Sequence, residues 1–367
     1  MSEHHVPAAA SAGAIFETDA LVIGAGPVGL FQVFQLGLLG IAAHVVDALP
    51  HAGGQCAELY ADKPIYDIPA IARCTGRELV ARLQEQIAPF HPRFHLLQEV
   101  CVVQPHDDGR FALETSSGTR FLARSIFIAA GVGAFVPRLL KIDGLEFFRD
   151  RQVFYRLDGT ETLAGRHVIV NGGEDHALAQ AIALAEDDGP LRPASVTLVH
   201  RRDGFQADAA LVDRMRVLVD AGRLAFTVGQ IAGFDHSAEA HPKHQTLTAI
   251  HVARPDGGTD VLPADALVVL LGLSPRLGPI SEWGLAMEKR QLVVDPASCA
   301  THVPGIYAVG DVNTYPGKKK LIACGFHEAI MAAYAAAQYL HPEERVLVQY
   351  TTTSTQLHAR LGVSAVS

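Results

Sequence analysis

The sequence lacks the closely spaced cysteines that form redox dithiols or zinc sites. None of its five cysteines makes a CxxC motif with another, and its 18 histidines show no metal-ligand spacing. The cysteines are Cys56, Cys74, Cys101, Cys299 and Cys324. Because a zinc site or a dithiol centre is usually recognised by ligands at close spacing, we expect neither here, and no bound metal.

Long apolar runs and an excess of positive charge are also missing. No run approaches the roughly 20 apolar residues of a membrane span. The net charge of −9 argues against binding to nucleic acid or to an anionic membrane. Residues 1–16 have no basic region followed by a long apolar stretch, so we expect a flexible tail rather than a signal peptide. These absences favour a cytoplasmic protein.

The residues that are present suit an α/β enzyme. Hydrophobic residues make up 49% of the 367 positions, charged residues make up 19%, and the chain has 33 glycines. A chain of this length and composition has material for two domains with buried cores.

A glycine loop follows the first apolar strand. Residues 20–23 are typical of a buried parallel strand, and Gly24, Gly26 and Gly29 then follow with GxGxxG spacing. In such loops the first glycine permits a tight turn, the second admits a pyrophosphate, and the third lets the helix pack on the strand. Asp47 ends the next predicted strand, where an acid can hydrogen-bond a ribose. This segment therefore predicts a dinucleotide site.

A second strand, loop and helix follow later, but this loop is altered. The letters VNGGEDHA (170–177) place Glu174 at the middle position of a GxGxxA motif, where a glycine normally admits the pyrophosphate. The next predicted strand ends in Arg201 and Arg202, and arginines at that place suit the 2′-phosphate of NADP(H). The pattern favours a second nucleotide site with one position changed.

Three interpretations of Glu174 stay open at this point. Its carboxylate repels a pyrophosphate and weakens binding. Alternatively, it caps the helix of an abandoned site, because acids are favoured in the first turn. In the third interpretation it rotates outward and leaves the backbone of Gly172 and Gly173 available to a nucleotide.

Several motifs together resemble one family. The first loop, Asp47, GGQ (53–55) and GIYAVGD (305–311) are similar to those of flavoproteins with two dinucleotide domains. Within that group the chain most resembles the thioredoxin-reductase-like ferredoxin/flavodoxin–NADP⁺ reductases. Four segments carry this resemblance: GGQCAELYADKPIYDIP (53–69), VHRRDGFQAD (199–208), GDVNTYPGKKKLIACGFHEAI (310–330) and QYTTTSTQLHARLGV (349–363).

The resemblance implies a fold and a domain plan. The fold would be α/β, with two Rossmann-like three-layer domains, the second inserted into the first, and a short C-terminal extension. An FAD domain would span 17–135 and 294–348, and an NADP(H) domain would span 136–293. Residues 349–367 would cover the flavin.

The resemblance also implies site residues. Tyr60 and Tyr350 would stack on the two faces of the isoalloxazine ring. The FAD contacts would be Gly24, Gly26, Pro27, Gly29, Asp47, Gly53, Gly54, Gln55, Tyr60, Val100, Phe135, Asp311, Thr351 and Thr352. Gly172, Gly173, Arg201 and Arg202 would hold NADP(H).

The implied activity is transfer of a hydride from NADPH to FAD, and of single electrons to ferredoxin or flavodoxin, in a homodimer. The missing cysteine pair argues against disulfide reduction. Two other functions stay open: a flavin-binding sensor or partner module with an impaired NADPH loop, and an NAD(P)H-dependent reductase of small acceptors such as quinones.

A short basic run precedes the last long predicted helix. Lys318, Lys319 and Lys320 stand out on an acidic protein, and they either form a solvated turn or steer an acidic ferredoxin to the flavin.

Overall fold

The computed structural model describes residues 15–157, 159–239, 241 and 244–363, without the side chains of Phe135, Val136 and Pro275. Most of the expected N-terminal tail lies outside these residues, and Ile15 and Phe16 already belong to the first strand. The chain divides into two compact units. Unit 1 contains the chain up to Ala134 and from Pro275 onward, and unit 2 is Phe135–Ser274.

The strands and helices follow one another along the chain. The strands are β1 (Ile15–Ile23), β2 (Ala43–Val46), β3 (Pro64–Ile65), β4 (Cys74–Thr75), β5 (Arg93–His95), β6 (Val100–Pro105), β7 (Phe111–Thr115), β8 (Arg120–Ile128), β9 (Ala134–Pro137), β10 (Val153–Phe154), β11 (His167–Gly172), β12 (Ser195–His200), β13 (Ala225–Val228), β14 (Gln230–His236), β15 (Leu247–Ala253), β16 (Thr259–Pro263), β17 (Ala266–Leu270), β18 (Leu273–Arg276), β19 (Met287–Glu288), β20 (Gln291–Val293), β21 (Ile306–Ala308) and β22 (Asn313–Thr314). The α-helices are α1 (Pro27–Leu38), α2 (Gln55–Glu58), α3 (Gly76–Ile87), α4 (Asp175–Glu186), α5 (Ala209–Asp220), α6 (Ile322–Leu340) and α7 (Thr355–Leu361).

Unit 1 is built on a seven-stranded sheet. Its strand order is β5-β2-β1-β8-β7-β6, and β21 also pairs with β8. Strands β5, β2, β1, β8 and β21 run parallel to one another. Strand β7 pairs antiparallel with β8, and β6 pairs antiparallel with β7. Alternate side chains of β1 face opposite sides of the sheet and pack into different hydrophobic cores. Ala20 and Val22 pack with α1, α3 and α6, while Leu21 and Ile23 face the opposite core.

Unit 2 has three layers. Its central sheet is fully parallel, in the order β10-β17-β11-β12-β13. Val168 and Val170 of β11 pack against α4 and α5, and Ile169 faces the antiparallel sheet β14-β15-β16. The prediction of an α/β fold with two Rossmann-like units and a short C-terminal extension is confirmed.

Local signals fix several helix ends. Pro27 opens α1, where its missing N–H costs no hydrogen bond. Thr75 and Glu78 form a capping box at the start of α3. Ser354 caps α7, which ends at Gly362 in the left-handed conformation. Among the helices of the described residues, none is long and apolar enough to cross a membrane.

Candidate dinucleotide-binding sites

Four parallel strands of unit 1 end at the same edge of its sheet. Gly24 follows β1, Asp47 follows β2, residues 129–131 follow β8, and Gly310 follows β21. In open α/β sheets, ligands bind outside the carboxyl ends of the strands. The structure therefore brings two segments that are distant in sequence, the early glycine loop and the late GD motif, to one edge of the sheet.

The three glycines of the first loop serve different needs. A β-carbon at Gly24, which has φ 109°, would collide with the carbonyl oxygen of Ala129. A β-carbon at Gly29 would collide with the carbonyl oxygen of Gly24. Among the described residues other than its chain neighbours, a β-carbon at Gly26 would meet only the Cα of Gly54, 3.9 Å away, so packing does not require a glycine there. The open face at Gly26 fits the approach of a pyrophosphate, as the sequence predicts.

Asp47 holds this loop in shape. Its carboxylate accepts hydrogen bonds from the backbone N–H groups of Ala25 (2.6 Å) and Leu49 (2.8 Å). Burial raises the pKa of the Asp47 carboxyl, while these two hydrogen bonds oppose the shift. Because a carboxylate offers about four acceptor sites, it retains capacity for a ribose hydroxyl.

The late GD motif lies against the start of α1. A β-carbon at Gly310 would stand 3.4 Å from Cγ2 of Val28. A β-carbon at Gly325, in the first turn of α6, would collide with the same side chain. The turn that carries Asp311 is therefore adjacent to the N-terminus of α1, where free N–H groups and the helix dipole favour an anion.

Tyr60 lies in the same region of unit 1. Its hydroxyl is 3.6 Å from Sγ of Cys56, which donates to it. Burial raises the pKa of the Tyr60 hydroxyl, and the nearby Cys56, Asp311 and Asp67 raise it further. Tyr60 and Asp311, which are far apart in sequence, are thus brought within electrostatic reach of each other.

Gln55 is placed beside the end of β8. Its Nε2 is 3.2 Å from where a β-carbon at Gly131 would lie. Gly53 and Gly54 both have positive φ, at 128° and 52°, and Gly53 donates its N–H to the carbonyl of Ala25 at 2.8 Å. This cradle of glycines and backbone N–H groups fits FAD, which Gly26, Asp47, Gln55 and Asp311 would hold.

For other predicted FAD contacts, the structure shows no comparable placement beside the glycine loop. Val100 is buried at the start of β6, and the side chain of Phe135 lies outside the described residues. Tyr350 is 70% exposed, and Thr351 and Thr352 are exposed as well. In this structure the Tyr350 ring therefore does not pack in an enclosed stacking position.

The C-terminal helix docks at the far end of α1. Arg360 of α7 donates to the carbonyl of Leu38, the last residue of α1, and Leu357 is buried. A helix of 12 residues spans about 18 Å, and the glycine loop lies at its other end. Helix α7 is thus anchored away from the loop, and the segment before it is tied to α7, because Nε2 of His358 contacts the carbonyl of Thr351 at 2.6 Å.

Lys318 contradicts the idea of a three-lysine docking surface. Its side chain is 7% exposed and forms an ion pair with Glu328, which is 1% exposed. Lys319 and Lys320 are exposed. Sequence spacing alone did not reveal the difference, because the burial of Lys318 depends on a partner ten residues later on α6.

In unit 2, the glycines of the second loop are required by packing. A β-carbon at Gly172 would collide with the carbonyl of Leu270 and with Cβ of Ala177, and one at Gly173 would collide with the ring of His200. Ala177 thus occupies the helix position that Gly29 has in the first loop. The loop keeps the backbone of a dinucleotide-binding loop. Contacts with other protein atoms already require its two glycines, so these glycines do not by themselves indicate a ligand.

Glu174 is the N-cap residue of α4 but forms no side-chain capping hydrogen bond. Its carboxylate oxygens lie 3.0 and 3.1 Å from where a β-carbon at Gly272 would stand, just beyond β17. The residue is exposed and makes an isolated bridge to Gln206. Glu174 thus stands at the N-cap, where the helix dipole favours an acid, but its carboxylate lies against the end of the neighbouring strand.

Arg201 and Arg202 are both exposed, directly after β12. Arg202 donates to the carbonyl of Gly204 at 3.3 Å. Two exposed guanidinium groups at this strand end fit a 2′-phosphate, because arginine binds phosphate in a bidentate manner. The residues of unit 2 fit NADP(H), with the Glu174 carboxylate as an unfavourable charge at the loop.

Sequence reasoning missed Glu328, which accepts four hydrogen bonds around the Gly310 turn. Its carboxylate accepts from the N–H of Gly310, Nδ2 of Asn313, the hydroxyl of Tyr315 and Nζ of Lys318. A signal was present: a lone acid within the apolar sequence IACGFHEAI of a buried helix requires a partner.

This combination of folds and loops defines the class of protein. A family described as pyridine nucleotide-disulphide oxidoreductase matches residues 18–339, and the chain belongs to that family.

Relatives give a narrower likeness. The chain is 59% identical over 351 residues to the ferredoxin–NADP reductase of Paracidovorax citrulli, covering 95% of this chain and 97% of the relative. It is 57% identical over 349 residues to the ferredoxin–NADP reductase of Albidiferax ferrireducens, again covering 95% and 97%. The resemblance stated from the sequence is confirmed.

A solved structure shares the fold. The thioredoxin reductase of Lactococcus lactis, in its FR conformation, has a TM-score of 0.56 and 22% identity. The match covers 88% of this chain and 99% of that one. At this identity the likeness concerns the fold alone.

Proposed function

We propose that the protein is an FAD-dependent ferredoxin–NADP reductase, which exchanges hydride with NADP(H) and single electrons with ferredoxin. The observation that carries this proposal is a pair of glycine loops, one in each unit, combined with a second unit (135–274) that contains no cysteine. The names of the two relatives support it. Because unit 2 offers no dithiol, we infer that electrons leave the flavin directly.

Unit 1 holds FAD in this proposal. The N-terminus of α1 and the open face at Gly26 receive the pyrophosphate, Asp47 receives a ribose, and Tyr60 covers one face of the ring. When bound, FAD accepts a hydride and passes on electrons singly. The hydroxyl of the half-buried Tyr60, with its raised pKa, stays protonated at neutral pH and adds no charge beside the ring.

Unit 2 holds NADP(H). Arg201 and Arg202 bind the 2′-phosphate, and the backbone of Gly172 and Gly173 borders the pyrophosphate. Glu174 weakens this binding without removing the loop, because its carboxylate has room beside Gly272.

The acceptor site is proposed to include Lys319 and Lys320, whose exposed charges attract an acidic ferredoxin. Flavodoxin as a second acceptor, a homodimeric assembly and the covering of the flavin by residues 349–367, with Tyr350 on the second face, belong to the same proposal and rest on the family resemblance. A cytoplasmic location also belongs to it, because five free thiols suit a reducing compartment.

The test is anaerobic electron transfer by the full-length, FAD-loaded protein. NADPH and an oxidised bacterial ferredoxin are mixed with the protein, and ferredoxin bleaching is followed. The balance is one NADPH for two ferredoxins, with release of one proton. We expect turnover with NADPH, far less with NADH, and none with a disulfide acceptor. Flavin reduction without ferredoxin reduction would contradict the proposal.

Glu174 favours one second candidate, a flavin-binding partner module whose nucleotide loop is disabled. In that case NADPH would fail to reduce the flavin even at millimolar concentration, although FAD would still bind to unit 1.

A further inference from the structure

The Gly310 turn is held by an ion pair buried inside unit 1. Gly310 has φ 78°, and both of its backbone polar groups are bound by the pair. Its N–H donates to Oε2 of Glu328 at 2.7 Å, and its carbonyl accepts from Nζ of Lys318 at 2.8 Å. The two charged groups also contact each other, so the turn is clamped from both sides.

The same carboxylate accepts two further hydrogen bonds within unit 1. Oε1 of Glu328 accepts the hydroxyl of Tyr315 at 2.7 Å, and Oε2 accepts Nδ2 of Asn313 at 3.0 Å. Asn313 also donates to the carbonyl of Ala308 at 2.7 Å, at the end of β21. The carboxylate therefore has four donors, which satisfy its acceptor capacity.

A buried ion pair is weak evidence of stabilisation. Removing two charges from water costs about as much as their attraction returns, and apolar replacements are often neutral or stabilising. A pair at 7% and 1% exposure therefore invites a reason other than stability. The peptide it clamps is the one that leads directly into Asp311, beside α1 and Tyr60.

We propose that Lys318 and Glu328 are positioning residues for FAD, because they fix the Gly310 turn in the one conformation that presents Asp311 to the cofactor. This inference rests on the proposed function only in taking FAD as the ligand of unit 1. Gln291 completes the arrangement, since its Nε2 donates to the carbonyls of Asp311 (3.2 Å) and Asn313 (2.7 Å).

The test uses the full-length protein with its FAD removed and restored. The variants are Lys318→Met, Glu328→Gln and the double substitution, and Lys141→Met is the matched control at an exposed lysine of unit 2. Tyr315→Phe removes one hydrogen bond to Glu328 and serves as a mild variant if a single charge deletion does not fold. The FAD dissociation constant is measured by flavin fluorescence, and the melting temperature is measured with and without FAD.

We expect each single charge deletion to weaken FAD binding by at least about tenfold, because it leaves a buried charge unpaired beside the turn. The double variant should bind FAD more tightly than the two single losses combined predict, and Lys141→Met should match the wild type. Tyr315→Phe should weaken FAD binding by less than either charge deletion.

A purely structural role would lower the melting temperature equally with and without FAD. A positioning role reduces the extra stability that FAD confers, because ligand binding stabilises in proportion to its affinity. Unchanged FAD affinity in Glu328→Gln or in Tyr315→Phe, with a lower melting temperature of the FAD-free protein, would overturn the inference. NADPH and ferredoxin are absent from these measurements, so a failure of the reductase assay leaves this result unaffected.

Discussion

The carboxylate of Glu174 lies in the space that a β-carbon at Gly272 would need, with its oxygens 3.0 and 3.1 Å from that position. The absence of a side chain at Gly272 therefore gives the charge a place outside the helix N-terminus. A nucleotide entering the loop meets the backbone of Gly173 and an acid at its border. In the proposed function, this geometry would let the loop carry a glutamate at the middle glycine position and bind NADP(H) with reduced affinity.

The first prediction separates a glycine that the fold needs from one that the ligand needs. Gly26→Ala should leave the melting temperature of the FAD-free protein nearly unchanged, because the nearest atom to its β-carbon among the described residues, apart from its chain neighbours, is 3.9 Å away. FAD affinity should fall by about 10- to 150-fold, equivalent to losing one charge-assisted hydrogen bond of about 1.5–3 kcal/mol.

Gly24→Ala is the matched comparison for this experiment. It should destabilise the FAD-free protein, because φ of 109° and the collision with Ala129 both oppose a side chain. Equal losses of stability in the two variants would argue that the open face at Gly26 is not a ligand surface.

The second prediction concerns the choice between NADPH and NADH. Arg201→Ser and Arg202→Ser should each raise the Kd for NADPH by about 10- to 100-fold, because a charge-assisted bond to phosphate is lost. Binding of NADH, which has no 2′-phosphate, should change little. Arg192→Ser is the control, since Arg192 is exposed just before the other end of β12. An equal loss for both nucleotides would remove these arginines from the 2′-phosphate site.

The third prediction concerns ferredoxin docking. Neutralising Lys319 and Lys320 to Met should flatten the salt dependence of ferredoxin reduction, because exposed charges act mainly on the association rate. FAD content should be unchanged. The rate of ferredoxin reduction would be measured between low and high ionic strength. A salt dependence identical to that of the wild type would show that ferredoxin docks elsewhere.

The fourth prediction concerns acid stability. Burial, with His95 and Arg93 close by, lowers the pKa of His44 from 6.5 to about 4, and burial also lowers that of His95. Between pH 6.5 and 4, these imidazoles therefore bind protons in the unfolded chain but remain neutral in the folded protein. Their contribution to stability is complete above pH 6.5 and is lost as the pH falls from 6.5 toward 4.

Melting temperatures at several pH values test this directly. His44→Gln should show a shallower loss of stability between pH 6.5 and 4 than the wild type. His327→Gln, at an exposed position on α6, should keep the wild-type slope. If all three proteins had the same slope, protonation of His44 would not be the cause.

How far the sequence could predict these sites depends on whether a feature is local. The strand, loop and helix around Gly24 and Asp47 were predictable, because glycine spacing and apolar runs encode that unit within about 30 residues. The same held for the strand end at Arg201. In each case the chemistry and the backbone that positions it are neighbours in sequence.

Contacts between distant segments could not be predicted in this way. The burial of Lys318 depends on Glu328 and on the fold of the turn between them. The direction of the Glu174 side chain depends on Gly272, which follows a different strand of the same sheet. The anchoring of α7 depends on Arg360 meeting the end of α1, more than 300 residues earlier in the chain.

The most direct test of the account is anaerobic reduction of the FAD-loaded protein by NADPH, compared with Glu174→Gly and with Asp220→Asn. Asp220 is the last residue of α5. Asp208, the N-cap residue at the other end of that helix, donates its backbone N–H to the carboxylate of Asp175, next to Glu174. The bleaching of the flavin is followed against NADPH concentration.

We expect the wild type to be reduced and Glu174→Gly to reach half-saturation at about 10- to 1000-fold less NADPH, because a nearby like charge is removed. Asp220→Asn should match the wild type. A wild-type flavin that NADPH does not reduce at any concentration, in a protein that binds FAD, would contradict the assignment as a ferredoxin–NADP reductase.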